Sequence, residues 1–331
     1  MTEPNRQPSD DFLLSVDKLK VEFYNELGTV NAVQDVSLGI RAGETLGVVG
    51  ESGSGKSVTA AALMDLVPIT GRVTNGTFRW HGSEVTSNEL GRLRGSKITM
   101  VFQDPMSALN PLVRVGSQIT EVLRKHLKMS RGAARRRALE LFELVGIPDP
   151  QRRFKQYSFE FSGGMAQRVV IAMALAADPE VLIADEPTTA LDVTIQAQIL
   201  DLIAHLQKEL NIAIVLITHD LGVVAGVADR IAVMYAGRVV ESGTVSEVFE
   251  HPSHPYTRGL LASTPHPREI TDRLVPIPGD PPVVTAIMPG CAFADRCSEA
   301  TARCWGERPE LVAPPWESVP LDRKVACWHA A

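Results

Sequence analysis

Apolar residues recur along this chain in three rhythms. Across residues 14–41 they alternate with polar ones, at Val21, Phe23, Val30, Val33 and Val36, which predicts antiparallel strands with one buried face. Short unbroken apolar runs follow at Thr45-Leu46-Gly47-Val48-Val49, Val181-Leu182-Ile183-Ala184, Ile214-Val215-Leu216-Ile217-Thr218 and residues 231–235; they predict strands buried on both faces. Helical spacing marks Ile195, Ile199, Leu202 and Leu206 as core. Residues 104–177 read as mostly helical, with turn signals at Asn110-Pro111 and Pro148-Asp149-Pro150. An α/β fold is expected, with antiparallel strands flanking its sheet and a helical subdomain over about residues 104–177.

Chemistry enters between the first buried strand and the Ala- and Leu-rich helix of residues 58–66. Gly50-Glu51-Ser52-Gly53-Ser54-Gly55-Lys56-Ser57 fill the pattern G-x-x-x-x-G-K-[ST] without a mismatch, in the strand–loop–helix context the motif needs. Glycines let backbone N–H groups turn inward around phosphate oxygens, and the helix start adds its positive dipole end. Lys56 is expected to reach the β- and γ-phosphates and Ser57 to ligate Mg²⁺. The chain is expected to bind a nucleoside triphosphate. A second acidic site closes the run at 181–184, where Asp185 and Glu186 stand at the strand end at which α/β sheets bind ligands. Neighbours on a strand point to opposite faces, so Asp185 can hold the Mg²⁺ shell while Glu186 orients or deprotonates the attacking water.

Between these halves lies Phe161-Ser162-Gly163-Gly164-Met165 ahead of an Ala/Val/Met-rich helix. Ser162 can cap that helix, and the two glycines expose N–H groups toward an anion. With this segment the chain resembles the ATP-binding cassette (ABC) family over roughly residues 13–250. Gln103 resembles the Q-loop glutamine, Ala190-Leu191-Asp192 the D-loop and His219 the switch histidine, all in the family's order. Phe23 is the best match to the aromatic that stacks on adenine, with Tyr24 beside it. The signature departs from the common pattern at Met165 and Ala166, but its Ser-Gly-Gly core is intact. The resemblance implies a P-loop ABC nucleotide-binding domain with a RecA-like core, a catalytic role for Glu186, His219 and Gln103, and Mg²⁺ ligation by Ser57, Gln103 and Asp185. It further implies that the loop residues Gly50, Ser52, Gly53, Ser54 and Gly55 bind the nucleotide held by this chain, while Ser162, Gly163, Gly164 and Asp192 work across a dimer.

Charge and length narrow the class. With 33 basic and 39 acidic residues the net charge is −6, which disfavours a protein that coats nucleic acid. No apolar stretch approaches the ~20 residues that span a bilayer, and residues 1–11 read as a polar, flexible leader with no secretory pattern. Arg131, Arg135, Arg136 and Arg137 read as a solvated helix face, with contact to anionic lipid as the second reading.

Composition shifts at about residue 251. Thirteen of the 22 prolines and all 4 cysteines lie beyond it, and proline excludes long helices and central strands. Cys291, Cys297, Cys304 and Cys327 could hold an iron–sulfur cluster, a zinc ion or no metal at all. His254-Pro255-Tyr256-Thr257, Ile277-Pro278-Gly279, Gly290-Cys291 and Arg296-Cys297 resemble the tail of the oligopeptide/dipeptide (nickel) permease ATPases, and Phe102-Gln103-Asp104-Pro105-Met106 fits the same subfamily. That resemblance implies three regions (leader 1–11, cassette 12–250, Pro/Cys-rich extension 251–331) and a [4Fe–4S] cluster on the four cysteines. It also implies an ATPase that powers import of peptides or related small solutes. Its expected partners are a second, related ATPase, two membrane-spanning permease subunits and an extracytoplasmic solute-binding protein. The expected place is the cytoplasmic face of the membrane, peripheral and held by the permease subunits. The alternative is a soluble ABC ATPase acting on ribosomes or nucleic acid. Because every nucleotide ligand precedes residue 220, a tail loosened by loss of its cysteines is expected to cost assembly with the partner before it costs nucleotide affinity.

Overall fold

The computed structural model describes residues 11–25, 28–189, 191–263, 276–282, 288–314 and 322–330. All of the expected leader but Asp11, and Ala190 of the D-loop, lie outside the described residues. The chain divides into two compact units, residues 1–86 with 216–331, and residues 87–215.

In the first unit, β1 (Leu14–Asn25), β2 (Gly28–Ile40), β4 (Gly71–Trp80) and β5 (Ser83–Val85) form an antiparallel sheet in the order β2-β1-β4-β5. Across the β1–β2 pair Val21 faces Val33 and Leu19 faces Val36, all four buried, and bulges between Val16 and Leu19, Leu19 and Lys20, and Val21 and Glu22 offset the strict alternation read from sequence. β3 (Thr45–Val49) is buried at every position and pairs in parallel with β9 (Arg230–Tyr235). The helix α1 (Lys56–Leu63) leaves the end of β3. Ala236 and Gly237, with φ of 48° and 78°, turn β9 into β10 (Arg238–Thr244), the positive-φ pair that matches strand twist in a two-residue hairpin.

The Pro- and Cys-rich segment folds back onto this unit. β11 (Lys324–Val325) adds to β10, with Glu241 opposite Val325. The rings of Tyr235, Tyr256 and Phe293 pack at centroid distances of 4.6, 5.2 and 5.4 Å, inside a core that also takes Val233, Val248 and Leu260. Beneath them Glu241, fully buried, accepts hydrogen bonds from Ser253 N, His254 N and the Arg323 guanidinium. The unit's other helices are α9 (Leu221–Val227), α10 (Val245–Glu250), α11 (Pro255–Ala262) and α12 (Ala302–Gly306).

The second unit carries β6 (Ile98–Val101), β7 (Val181–Asp185) and the start of β8 (Ala213–Thr218), in which the boundary between the units falls. β6 and β7 run parallel, Val101 beside Ala184. Around them lie α2 (Ser87–Leu93), α3 (Pro105–Ala108), α4 (Val115–His126), α5 (Arg131–Leu144), α6 (Pro150–Arg153), α7 (Gly163–Leu175) and α8 (Val193–Leu210). Ile119, Leu123, Ala138 and Phe142 of α4 and α5 are fully buried. The arginine run lies on the outer side of α5, where Arg137 bonds Asp178 at 3.2 Å and Arg135 lies 5.0 Å over the Phe154 ring. Among the described residues, no helix is long and apolar enough to cross a membrane.

Candidate active site

Glycine is required twice in the phosphate loop. A Cβ on Gly50 would stand 2.1 Å from the Met234 carbonyl oxygen, and one on Gly55, at φ 99°, 2.6 Å from that of Ala32. Gly55 is also the N-cap of α1 and brings no side chain to it, which leaves the first-turn N–H groups to an incoming anion. Lys56 is buried and folds back, its Nζ donating to the carbonyls of Gly50 at 2.8 Å and Glu51 at 3.0 Å. The ammonium is therefore held against the loop's own backbone rather than in open solvent. Ser52, Gly53 and Ser57 are placed along the loop and the helix start, while Ser54 is buried with its hydroxyl unpartnered among the described residues. This is a cradle of donors with a resident cation, suited to a polyphosphate.

Two further expected residues lie in the same unit. Phe23 is half-buried, its ring against Gly71, where a Cβ would come within 2.7 Å. Tyr24 is 51% exposed and donates to Glu22 Oε2 at 2.9 Å. His219 is exposed just beyond β8, ahead of α9, whose N-cap Asp220 accepts from Gly222 N at 2.8 Å.

In the second unit the parallel pairing of β6 and β7 brings Gln103 to Glu186. Asp185 is the buried last residue of β7. Glu186 follows with φ 46°, a left-handed value that costs a non-glycine residue on the order of 1–3 kcal/mol. Its Oε2 accepts from Gln103 Nε2 at 3.2 Å and from Thr189 Oγ1 at 2.8 Å. Thr189 is absent from the sequence reading; its signal there was no more than a hydroxyl three residues after the acid. Ser162 is the N-cap of α7 but its hydroxyl makes no capping bond. Gly164 is required by packing, since a Cβ there would meet Ile195 Cγ2 at 2.5 Å, and one on Gly163 would meet Leu191 at 3.3 Å. Asp192 caps α8 through Ile195 N at 3.0 Å.

Cys291, Cys297, Cys304 and Cys327 all line one small cavity of the first unit, with His254, Phe293 and His329 among their neighbours. Burial pushes the Cys291 thiol up to about 11 and raises those of Cys297 and Cys327, with nearby thiols adding to the rise. His329 is half-buried, its Nε2 3.6 Å from Cys304 Sγ and 3.1 Å from Thr301 Oγ1. Among the described residues, no group of three or more His, Cys, Asp or Glu side chains converges as the ligand set of a metal ion. His254, buried and the cap of α11 through its Nδ1, is held neutral by burial, its pKa lowered to about 3.

The sequence reading also missed how the tail meets the phosphate loop. Arg296 and Tyr256 both bond Glu51, although Glu51 lies 245 positions before Arg296.

Residues 33–189 match the ABC transporter family, and residues 240–304 match the oligopeptide/dipeptide transporter C-terminal region. The chain is 54% identical over 304 residues to the oligopeptide transport ATP-binding protein OppD of Bacillus subtilis, covering 90% of this chain and 85% of that one. It is 48% identical over 330 residues to OppD of Escherichia coli, covering 99% and 96%. Among solved structures, it resembles the dimeric ATP-binding cassette MJ0796 bound to ADP and Pi, at a TM-score of 0.62 and 29% identity over 70% of this chain and 98% of that one. CbiO1 of Clostridium perfringens gives a TM-score of 0.63 at 29% identity, over 72% and 91%. The chain belongs to the ABC transporter ATPases, in the branch of oligopeptide and dipeptide transport. Its fold is the P-loop ABC nucleotide-binding domain, and its reaction is ATP hydrolysis. The alternative of a soluble cassette acting on ribosomes or nucleic acid is not favoured by these likenesses.

Proposed function

We propose that this chain hydrolyses Mg·ATP to drive peptide import, with its residues in the following roles. Lys56 and the loop of Gly50, Ser52, Gly53, Ser54 and Gly55 bind the β- and γ-phosphates, and Phe23 stacks on the adenine. Ser57, Gln103 and Asp185 supply the Mg²⁺ ligands. Glu186 takes a proton from water, whose oxygen attacks the γ-phosphorus; the bridging P–O bond breaks and ADP leaves with the electron pair. His219 contacts the γ-phosphate. Ser162, Gly163, Gly164 and Asp192 act on the nucleotide of a second, related ATPase. The observation that carries this reading is the phosphate cradle: an α1 start with no side-chain cap and Lys56 folded over Gly50 and Glu51.

The same reading places the chain at the cytoplasmic face of the membrane, held peripherally by two permease subunits that are fed by an extracytoplasmic solute-binding protein. What supports it is the match of residues 240–304 to the transporter C-terminal region and the likeness to OppD over 99% of the chain. The proposal extends to a [4Fe–4S] cluster held by Cys291, Cys297, Cys304 and Cys327, and rests on four thiols lining one cavity. Such a cluster would fix the tail as a staple or offer one-electron chemistry. Reconstituted in vesicles with its partners, the complex is expected to accumulate peptide only while ATP is hydrolysed. Uptake undiminished by Glu186→Gln would overturn the reading.

A further inference from the structure

Glu51 puts a carboxylate at the second position of a loop that must accept a polyanion. Left alone, that charge would repel the phosphates across a short, partly desolvated distance. It is not left alone. Arg296 Nη1 donates to Glu51 Oε2 at 2.7 Å and Nη2 to Oε1 at 3.0 Å, the two-pronged geometry in which guanidinium and carboxylate bind most strongly. The Arg296 side chain is only 5% exposed, and it is oriented by further bonds to the Pro278 carbonyl at 2.8 Å and to the Tyr235 hydroxyl at 3.3 Å. The Glu51 N–H donates to the hydroxyl of buried Tyr256 at 2.8 Å, and the Glu51 carbonyl accepts from Lys56 Nζ at 3.0 Å. The same residue thus ties the tail to the lysine of the phosphate loop.

We propose that Arg296 is a positioning residue of the ATP site: it cancels the charge of Glu51 and holds the phosphate loop ready for an anion, so that the docked tail is part of the nucleotide site. The turn that carries it, residues 294–296, runs directly into Cys297 and begins three residues after Cys291, so whatever fixes those cysteines also fixes the guanidinium. The inference rests on the reading that this loop binds triphosphate, and not on what the cysteines hold.

Titration calorimetry of the full chain with ATP and with ADP tests it. Arg296→Gln is expected to weaken ATP binding by about 10–100-fold and ADP binding less, because ADP carries one phosphate fewer for the exposed carboxylate to repel. Adding Glu51→Gln to that chain is expected to restore ATP affinity to within about threefold of the parent, the non-additivity of a coupled pair. Arg296→Lys, which keeps the charge without the fork, is expected to fall between the two. Unchanged ATP affinity in Arg296→Gln, or a loss that Glu51→Gln does not relieve, would overturn the proposal. Should Arg296→Gln fail to fold, the comparison of Arg296→Lys with and without Glu51→Gln decides in the same way: tighter ATP binding in the double variant supports it, equal binding overturns it. Lys56→Ala separates the two levels. Lost affinity there with none lost in Arg296→Gln defeats only this proposal, whereas full affinity in Lys56→Ala defeats the loop reading and this proposal with it.

Discussion

Gln103 and Glu186 are joined by a 3.2 Å hydrogen bond from the amide Nε2 to the carboxylate Oε2. The bond exists because β6 and β7 run parallel and in register, so the residues just past their ends emerge together. Thr189 Oγ1 donates to the same oxygen at 2.8 Å. Both of these donors are uncharged.

Glu186→Gln is expected to keep nucleotide binding and to lower turnover by about 10²–10⁴, the usual worth of a placed general base. Lys56→Ala is expected to act earlier, weakening ATP binding by about 10–100-fold as charge-assisted bonds are lost. Steady-state hydrolysis by the purified complex, set beside equilibrium binding, separates the two. Near-normal turnover in Glu186→Gln would remove it from the base role.

The signature is expected to act in trans. In a mixed complex with an intact partner, Ser162→Arg should silence the site built on the partner's phosphate loop and spare the one on this chain. The Ser162 hydroxyl makes no capping bond to its own helix, which is the observation behind the expectation. Loss of nucleotide at this chain's own loop, measured by crosslinking a photoactivated ATP analogue, would contradict the signature's action across the dimer.

How much of this was legible in the sequence differs by region. The phosphate loop, the Asp185-Glu186 pair and the signature were readable because each is a contiguous run whose chemistry needs only its own strand or helix. That residues 14–41 form antiparallel strands with a buried face was readable from Val21, Val33 and Val36; the β1–β2 register was not, because it is offset by bulges between Val16 and Leu19, Leu19 and Lys20, and Val21 and Glu22. The tail was not. Its cysteines and prolines announced a change of regime, but contacts such as Glu241–Arg323 and Glu51–Arg296 join residues 82 and 245 positions apart, and no local pattern encodes them. The expectation that a loosened tail costs partner assembly before nucleotide affinity rested on sequence distance, a distance that the bonds of Arg296 and Tyr256 to Glu51 span.

Arg323→Met should expose how the tail is held. It strands Glu241, which is 0% exposed, as a buried charge without its counterion, a loss of about 3–5 kcal/mol for a broken buried pair. The expected readout is early proteolytic release of the tail at temperatures the parent withstands. Identical cleavage rates would show that the pair contributes little.

For the cysteines, anaerobically purified protein is expected to be brown, with about four irons and four sulfides per chain, as four thiolates saturate one cubane. Each of Cys291→Ser, Cys297→Ser, Cys304→Ser and Cys327→Ser should lower the iron content. Stoichiometric zinc in a colourless preparation would replace the cluster with a zinc site, and neither metal would leave free thiols.

The pairing of β11 with β10 has a practical corollary. A chain cut at the natural-looking boundary near residue 250 would not be a minimal cassette. It would uncover the hydrogen-bonding edge of β10 together with the rings and aliphatic chains of Tyr235 and Val240, and an open strand edge beside bare apolar surface is a template for self-association. Such a truncation should come out of cells as inclusion bodies or soluble aggregates, and the short strand near the end of the chain is best understood as the seam that keeps this sheet closed to its own copies.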